Sequence, residues 1–282
     1  MKIRSLPLCA LALLSAPFIV SAADVEPSKN AGPYVPSPQS VVSDMLKIAE
    51  VGPADFVIDL GSGDGRIVLT AAKVFGASGF GVEIKEDLVL KANLAAKAEG
   101  VADRVRFMKQ DLFKTDISKA TVLTMYLLPD TVNLLKDKFL AELRPGTRII
   151  SHDYPLTGWI PEKYEQMDLE DKINISGVTT TLIYMYVVPA KVAGDWNARM
   201  PAAVSKQPAT LQLKQQLTRV TGSMKLDGKD VPLEEAKLRG DRISFKLAGR
   251  RGEFTGQVRG RSIEGTVDSG GAKAPWSASL GG

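Results

Sequence analysis

The sequence predicts an α/β fold, a doubly wound and mostly parallel seven-stranded sheet, followed by a smaller antiparallel all-β meander or barrel domain. Three observations carry this. Between residues 39 and 151 apolar runs of strand length alternate with runs of helical period, the pattern of parallel strands joined by crossover helices. Two more strand-length runs, 164–173 and 179–188, have no helical pattern between them, which predicts an antiparallel hairpin closing the sheet. After Pro189 come seven short runs about ten residues apart, separated by Gly-containing turns such as Asp227-Gly228 and Gly260-Arg261, which is antiparallel grammar.

Taken in order, the first residues stand apart from the fold. Lys2 and Arg4 give a positive start, residues 6–20 are apolar, and Ser21-Ala22-Ala23 offers small residues for cleavage. Residues 1–23 therefore read as a secretory signal peptide, and the protein is expected in the periplasm or secreted. Left uncleaved, the leader would be a membrane anchor that still sends the rest outward; its run of 15 residues is shorter than the roughly 20 of a spanning helix. Residues 24–37 are a polar, Pro-rich lead-in. Ser37-Pro38 is a good cap and first-turn pair for a helix beginning at Gln39. Strands follow at 56–60, 79–83, 105–108, 121–127 and 147–151, with helices at 67–75, 88–98 and 132–143. The first domain is expected over 38–189, a linker over 190–208 in which Asp195-Trp196 could open a further strand, and the β domain over 209–282.

Composition is that of a globular chain, with 44% hydrophobic and 24% charged residues. The net charge of +4 is unevenly divided. Residues 34–189 carry 17 Lys and Arg against 21 Asp and Glu, whereas residues 190–282 carry 16 against 9, a surplus of 7 that suits contact with an anionic envelope component. The single cysteine, Cys9, lies in the leader, so the exported chain is expected to hold no disulfide, thiolate nucleophile or cysteine-ligated metal.

The chemistry concentrates at strand ends. Asp59-Leu60-Gly61-Ser62-Gly63-Asp64-Gly65-Arg66 follows the first strand and opens the first helix, where glycines let the backbone approach a ligand closely. Glu83 ends the second strand 24 residues after Asp59, the place from which an acid takes both hydroxyls of a ribose. Asp111 follows the third strand, where a carboxylate can accept the amine of an adenine. Loop, acid and acid on successive strands describe an adenosyl ligand.

This signature, with Gly81-Val82-Glu83 and Asp111-Leu112-Phe113, resembles that of the class I S-adenosylmethionine-dependent methyltransferases. Pro33-Tyr34-Val35-Pro36, together with Ser151-His152-Asp153-Tyr154-Pro155 and Trp159, is similar to a small group of lysine methyltransferases related to the enzyme that methylates the mitochondrial ATP synthase c-subunit. The resemblance covers roughly residues 33–188 and implies S-adenosylmethionine as cofactor, bound by Gly61, Gly63, Glu83 and Asp111, with Tyr34 covering its methionine end. Asp59, Ser62 and Asp64 complete the candidate cofactor set, Asp64 either meeting the methionine amine or capping the helix. Tyr126-Leu127-Leu128-Pro129 replaces the Asn-Pro-Pro-Tyr of many amide- and adenine-methylating enzymes. Nucleic-acid bases thereby become poorer acceptors, and a protein lysine the expected one. Tyr126 is expected to shape the acceptor channel, Asp153 to orient the amine and His152 to flank them.

Because the leader would export the domain away from a cytoplasmic metabolite, the sequence leaves alternatives open. The chain is an active methyltransferase, an exported module that holds an adenosyl ligand without catalysis, or an envelope-interaction protein working through its basic β domain.

Overall fold

The computed structural model describes residues 32–170, 172–173 and 177–281. The leader at 1–23 and the start of the lead-in lie outside the described residues.

Helix α1 (Gln39–Ile48) precedes an alternation of β1 (Phe56–Leu60), α2 (Arg66–Phe75), β2 (Ser78–Glu83), α3 (Glu86–Ala98), β3 (Val105–Lys109), β4 (Val122–Met125), α4 (Pro129–Leu134), α5 (Lys136–Glu142) and β5 (Arg148–His152). Strands β6 (Lys163–Asp168) and β7 (Thr180–Val187) close the unit. The sheet order is β3-β2-β1-β4-β5-β7-β6. Strands β1 to β5 run parallel and β7 runs antiparallel to both its neighbours. This is the seven-stranded doubly wound sheet expected, and the order turns back at β1, so the β1 and β4 ends flank the crevice where such sheets bind ligands.

Apolar residues alternate between the two faces. Val57, Val105, Ile150 and Ile183 meet Val41, Met45, Val68 and Ala92 from α1, α2 and α3. Ile58, Leu60, Leu123 and Ile149 meet Val132 and Phe139 from α4 and α5. The helix expected at 132–143 starts earlier and is broken. Pro129 at its first turn has no N–H to lose, so the chain turns helical directly after β4, and Leu135 divides α4 from α5. The strand expected at 164–173 ends at Asp168.

A closed barrel follows, ordered β10-β11-β12-β13-β14-β15-β8-β9. Its strands are β8 (Gly194–Arg199), β9 (Ala209–Gln216), β10 (Arg219–Leu226), β11 (Lys229–Arg239), β12 (Arg242–Leu247), β13 (Glu253–Arg259), β14 (Ser262–Asp268) and β15 (Lys273–Leu280). The expected linker at 190–208 is corrected here: β8 lies within it and zips the barrel shut between β15 and β9. Its apolar Trp196 is fully buried and so belongs to the barrel core with Phe245, Phe254 and Trp276. Closure removes the exposed edges that an open meander would leave. The barrel touches the first domain through Ala190 N–H donating to the Gly240 carbonyl at 2.8 Å and through an Arg239–Glu162 ion pair at 2.7 Å. Among the described residues no helix is long and apolar enough to cross a membrane.

Candidate active site

The glycine loop is folded against β2 before any ligand is considered. The Gly61 and Ser62 N–H groups both donate to the Val82 carbonyl at 2.9 Å, and Gly65 N–H donates to the Ser62 carbonyl at 2.8 Å. Gly63 sits at φ 52°, and a Cβ there would come within 2.4 Å of the Tyr34 ring. The lead-in therefore lies directly on the loop, where the resemblance places Tyr34. Gly63 N–H donates to Glu83 Oε2 at 3.1 Å, and Ile84 and Lys85 N–H donate to Oε1 at 2.8 and 2.9 Å, so the Glu83 carboxylate is fixed at the end of β2 beside the loop.

Asp64 has a partner of its own. Arg66 forks across it, Nε to Oδ1 at 2.9 Å and Nη2 to Oδ2 at 2.7 Å, while Arg66 Nη1 donates to the Ser37 carbonyl at 2.7 Å. Burial pushes the Asp64 carboxyl up, but the Arg66 guanidinium more than offsets it and holds the group below the usual carboxylate range. Burial and the Asp64 charge raise the Tyr34 phenol. Of the two roles open to Asp64, neither matches the geometry: it clamps Arg66 and, through it, the lead-in.

Asp59 is buried and its Oδ1 accepts from Thr124 Oγ at 2.7 Å. Burial, with the Glu83 and Asp64 charges added, pushes its carboxyl up to about 7 against the pull of Thr124. Asp111 caps the short 3-10 turn Leu112–Lys114, its Oδ1 accepting Phe113 N–H at 2.9 Å. Ser62 Oγ is buried with no hydrogen-bond partner. A loop with glycine-width clearance, an orphaned hydroxyl and carboxylates at the ends of β1, β2 and past β3 fit an adenosyl ligand carrying a cationic methionine end.

The second cluster stands where β4 and β5 end. The Tyr126 ring lies 4.0 Å from the His152 ring, tilted by 34°, and 6.5 Å from Tyr154. Burial raises the Tyr126 phenol and the Asp153 charge adds to it. His152 is fully buried, with Nδ1 2.8 Å from Ser37 Oγ and Nε2 without a hydrogen-bond partner. Burial drives its pKa down to about 4, and Lys172 adds to the fall. Asp153 works the other way, but at 3.6 Å from Nε2 it is too far to hydrogen-bond, so the ring is neutral at physiological pH. Ser37 was expected as a helix cap; α1 has no side-chain cap, and the Ser37 hydroxyl serves His152 instead.

Asp153 follows β5 at φ 63°, a region that non-glycine residues seldom adopt. Its N–H donates to the Leu182 carbonyl at 2.7 Å and its Oδ1 accepts Leu182 N–H at 3.1 Å. Lys172 Nζ meets both Asp153 oxygens at 2.7 Å and the Thr180 carbonyl at 2.5 Å. Sequence reasoning missed Lys172 altogether, since it stands in a run read as strand. Cofactor-side candidates Tyr34, Asp59, Gly61, Ser62, Gly63, Asp64 and Glu83 thus converge on one loop. Tyr126, His152 and Asp153 form the second cluster, and the lead-in touches both.

A doubly wound seven-stranded sheet with this loop and these strand-end acids defines a class I S-adenosylmethionine-dependent methyltransferase. A family model, the ANTKMT methyltransferase domain, matches residues 59–163. The protein-lysine N-methyltransferase of Saccharolobus islandicus is 43% identical over 157 residues, which are 55% of this chain and 93% of that enzyme. The ATP synthase c-subunit lysine N-methyltransferase of Xenopus laevis is 34% identical over 155 residues, covering 55% of this chain and 66% of that enzyme, just under two thirds of its length. A crystal structure described as an RNA methyltransferase from Salinibacter ruber, in complex with S-adenosyl-L-homocysteine, superposes with a TM-score of 0.50 at 44% identity, covering 56% of this chain and 96% of that one. The chain belongs to the methyltransferase family of the Saccharolobus enzyme, and it is an S-adenosylmethionine-dependent methyltransferase.

Proposed function

We propose that this protein N-methylates lysine side chains of proteins, and that it does so in the periplasm or outside the cell. The observation that carries the reading is the Asp153 carboxylate, set beside Tyr126 at the ends of β5 and β4 and gripping a primary ammonium with both oxygens. An anion there attracts a cationic side chain and repels a phosphate backbone. The net negative first domain acts in the same sense. The Saccharolobus and Xenopus relatives are lysine N-methyltransferases by name, which adds to the chemistry.

On this reading Gly61, Ser62 and Gly63 bring backbone against the cofactor, Glu83 takes the ribose hydroxyls and Asp111 the adenine amine through the oxygen its cap leaves. Asp59 faces the cationic end, Asp64 works through Arg66, and Tyr34 covers the loop. S-adenosylmethionine supplies a methyl group on a sulfonium, open to in-line displacement by a neutral nitrogen. Asp153 orients the incoming amine, Tyr126 and the uncharged His152 wall the approach, and the amine's proton leaves to solvent. The leader accounts for export, and the basic barrel suits an anionic envelope component that would hold the enzyme near its substrates.

Labelled S-adenosylmethionine added to the purified protein with envelope extract should mark protein lysines, as read by mass spectrometry. Transfer only to a small molecule, a lipid or added RNA would refute the lysine reading. Asp153→Asn should lower turnover at least tenfold while S-adenosylmethionine affinity stays within about threefold, because the lost charge is on the acceptor side. Equal losses in both would place Asp153 with the cofactor.

A further inference from the structure

The ammonium that Asp153 holds belongs to the protein itself. Resting on the amine-acceptor reading above, we infer that Lys172 is an internal occupant of the acceptor site: its ammonium holds the place on Asp153 and the Thr180 carbonyl that a substrate lysine takes, and the β6–β7 connection withdraws it when substrate enters.

Three observations separate this from a structural ion pair. First, the carboxylate is aimed without Lys172. The Asp153 N–H is tied to the Leu182 carbonyl and Oδ1 to Leu182 N–H, so β7 alone sets the position of the anion despite its left-handed backbone. Second, the segment that brings Lys172 is held by little else. Among the described residues between β6 and β7 Lys172 is the only buried one, while the apolar Ile173 and Val178 on the same connection are 51% and 54% exposed. A stretch anchored by one side chain can leave when that side chain is outcompeted. Third, a buried ion pair is a poor stabiliser, because desolvation offsets most of its attraction. A pair this buried, beside Tyr126 and His152 at the strand ends that define the acceptor side, makes better sense as a filled ligand site. The occupant is unreactive as held, since an ammonium paired to a carboxylate has no lone pair to offer a methyl group. The site is thereby kept closed to water and to stray cations, and a substrate lysine must displace Lys172 to be bound.

The two roles predict opposite signs. The probe is Nα-acetyl-lysine N-methylamide, a lysine with its backbone ends blocked, with labelled S-adenosylmethionine as methyl donor. Lys172→Met keeps the length but removes the ammonium, and its KM for the probe should fall at least fivefold below wild type. Lys172→Arg keeps a cation with a two-pronged grip on Asp153, and its KM should rise at least threefold. If Lys172 were a strut, arginine would preserve activity and methionine would impair it; that reversed order, or two unchanged KM values, overturns the inference. Should Lys172→Met fail to fold, hydrogen exchange on the wild type decides: amides of residues 169–179 must exchange faster when the probe and S-adenosylhomocysteine are both bound, and unchanged protection overturns the displacement. Label on no amine at all with wild type, in the extract as well as on the probe, defeats the amine reading itself, whereas label with the KM order reversed defeats this inference alone.

Discussion

The barrel and the first domain treat buried polar atoms differently. Both barrel tryptophans satisfy their indoles, Trp196 Nε1–H donating to the Val192 carbonyl at 2.8 Å and Trp276 Nε1–H to the Thr255 carbonyl at 3.0 Å. Among the described residues four buried side-chain atoms lack a partner, Ser62 Oγ, His152 Nε2, Trp159 Nε1 and Thr181 Oγ, and all four lie in the first domain. The two most displaced titrations of buried groups, Asp59 and His152, lie there too. Unsatisfied polar groups are destabilising wherever they are buried, so they persist where something other than stability retains them. The barrel is built as a scaffold, and the first domain gives up stability at the places where it meets ligands.

The largest effect that would break this contrast is at Gly63. A valine there meets the Tyr34 ring within 2.4 Å at its first carbon and must hold a left-handed backbone that a β-branched residue resists. S-adenosylmethionine affinity should fall at least a hundredfold, roughly 3 kcal/mol, by calorimetry. Binding that survives within tenfold would mean Tyr34 and the loop give way freely, and that the loop is no tighter than a barrel turn.

Next in size is the pH dependence of stability, where two buried groups of the first domain oppose each other. His152 falls from its ordinary value to about 4, so its contribution is present above the ordinary value and is lost as pH falls toward 4. Asp59 is raised to about 7, so its contribution is present at low pH and is lost as pH rises toward 7. Between about pH 4 and 6.5 the two slopes largely cancel in the wild type. Asp59→Asn should unmask His152. Its urea unfolding free energy should drop by up to about 3 kcal/mol on acidification through that window, while the wild type changes much less. Parallel profiles would show that Asp59 is not the opposing group.

The legible part of the molecule was the part whose geometry is local. A glycine loop between a strand and a helix, and acids placed at strand ends, are written in residues a few positions apart, so Gly61, Gly63, Glu83 and Asp111 could be placed from pattern alone. The hairpin after β5 was legible for the same reason. The acceptor side was only half so. His152 and Asp153 were visible as strand-end residues, but the hydroxyl that fixes the His152 ring comes from Ser37, 115 residues away, and Ser37 carried a local helix-cap signal that pointed elsewhere. Lys172 had no signal, because it sits in an apolar-polar run that reads as strand continuation and earns its place only through contact with Asp153. The strand β8 was hidden in a Pro-rich stretch whose composition resembles a linker, and only barrel closure makes a strand of it.

A smaller effect would sharpen the contrast at the cofactor end. A cationic ligand beside Asp59 favours the ionised carboxyl, so below about pH 7 binding must expel a proton. S-adenosylmethionine affinity should rise with pH between about 6 and 7, by up to tenfold per unit, and Asp59→Asn should flatten the rise. Calorimetry in two buffers of different ionisation heat reads the released proton directly. A flat wild-type profile would mean that the raised carboxyl does not face the ligand.

The smallest expected effect is in the barrel, where the turn glycines meet no packing. Asp227 and Gly228 join β10 to β11 at φ 49° and 80°, the paired left-handed conformations of a tight hairpin turn. A Cβ added at Gly228 finds no atom within 4 Å, so alanine there faces only its own backbone preference. Gly228→Ala should therefore lower stability by about 1 kcal/mol, a fall in Tm of about 2–4 °C for a chain of this size, with S-adenosylmethionine affinity unchanged. Gly63 is the matched case with the same kind of backbone and a ring against it, and the difference between the two variants isolates what packing adds to strain. A Gly228→Ala loss of several kcal/mol, or any loss of cofactor affinity, would show that the barrel is coupled to the site and is more than the scaffold its satisfied interior suggests.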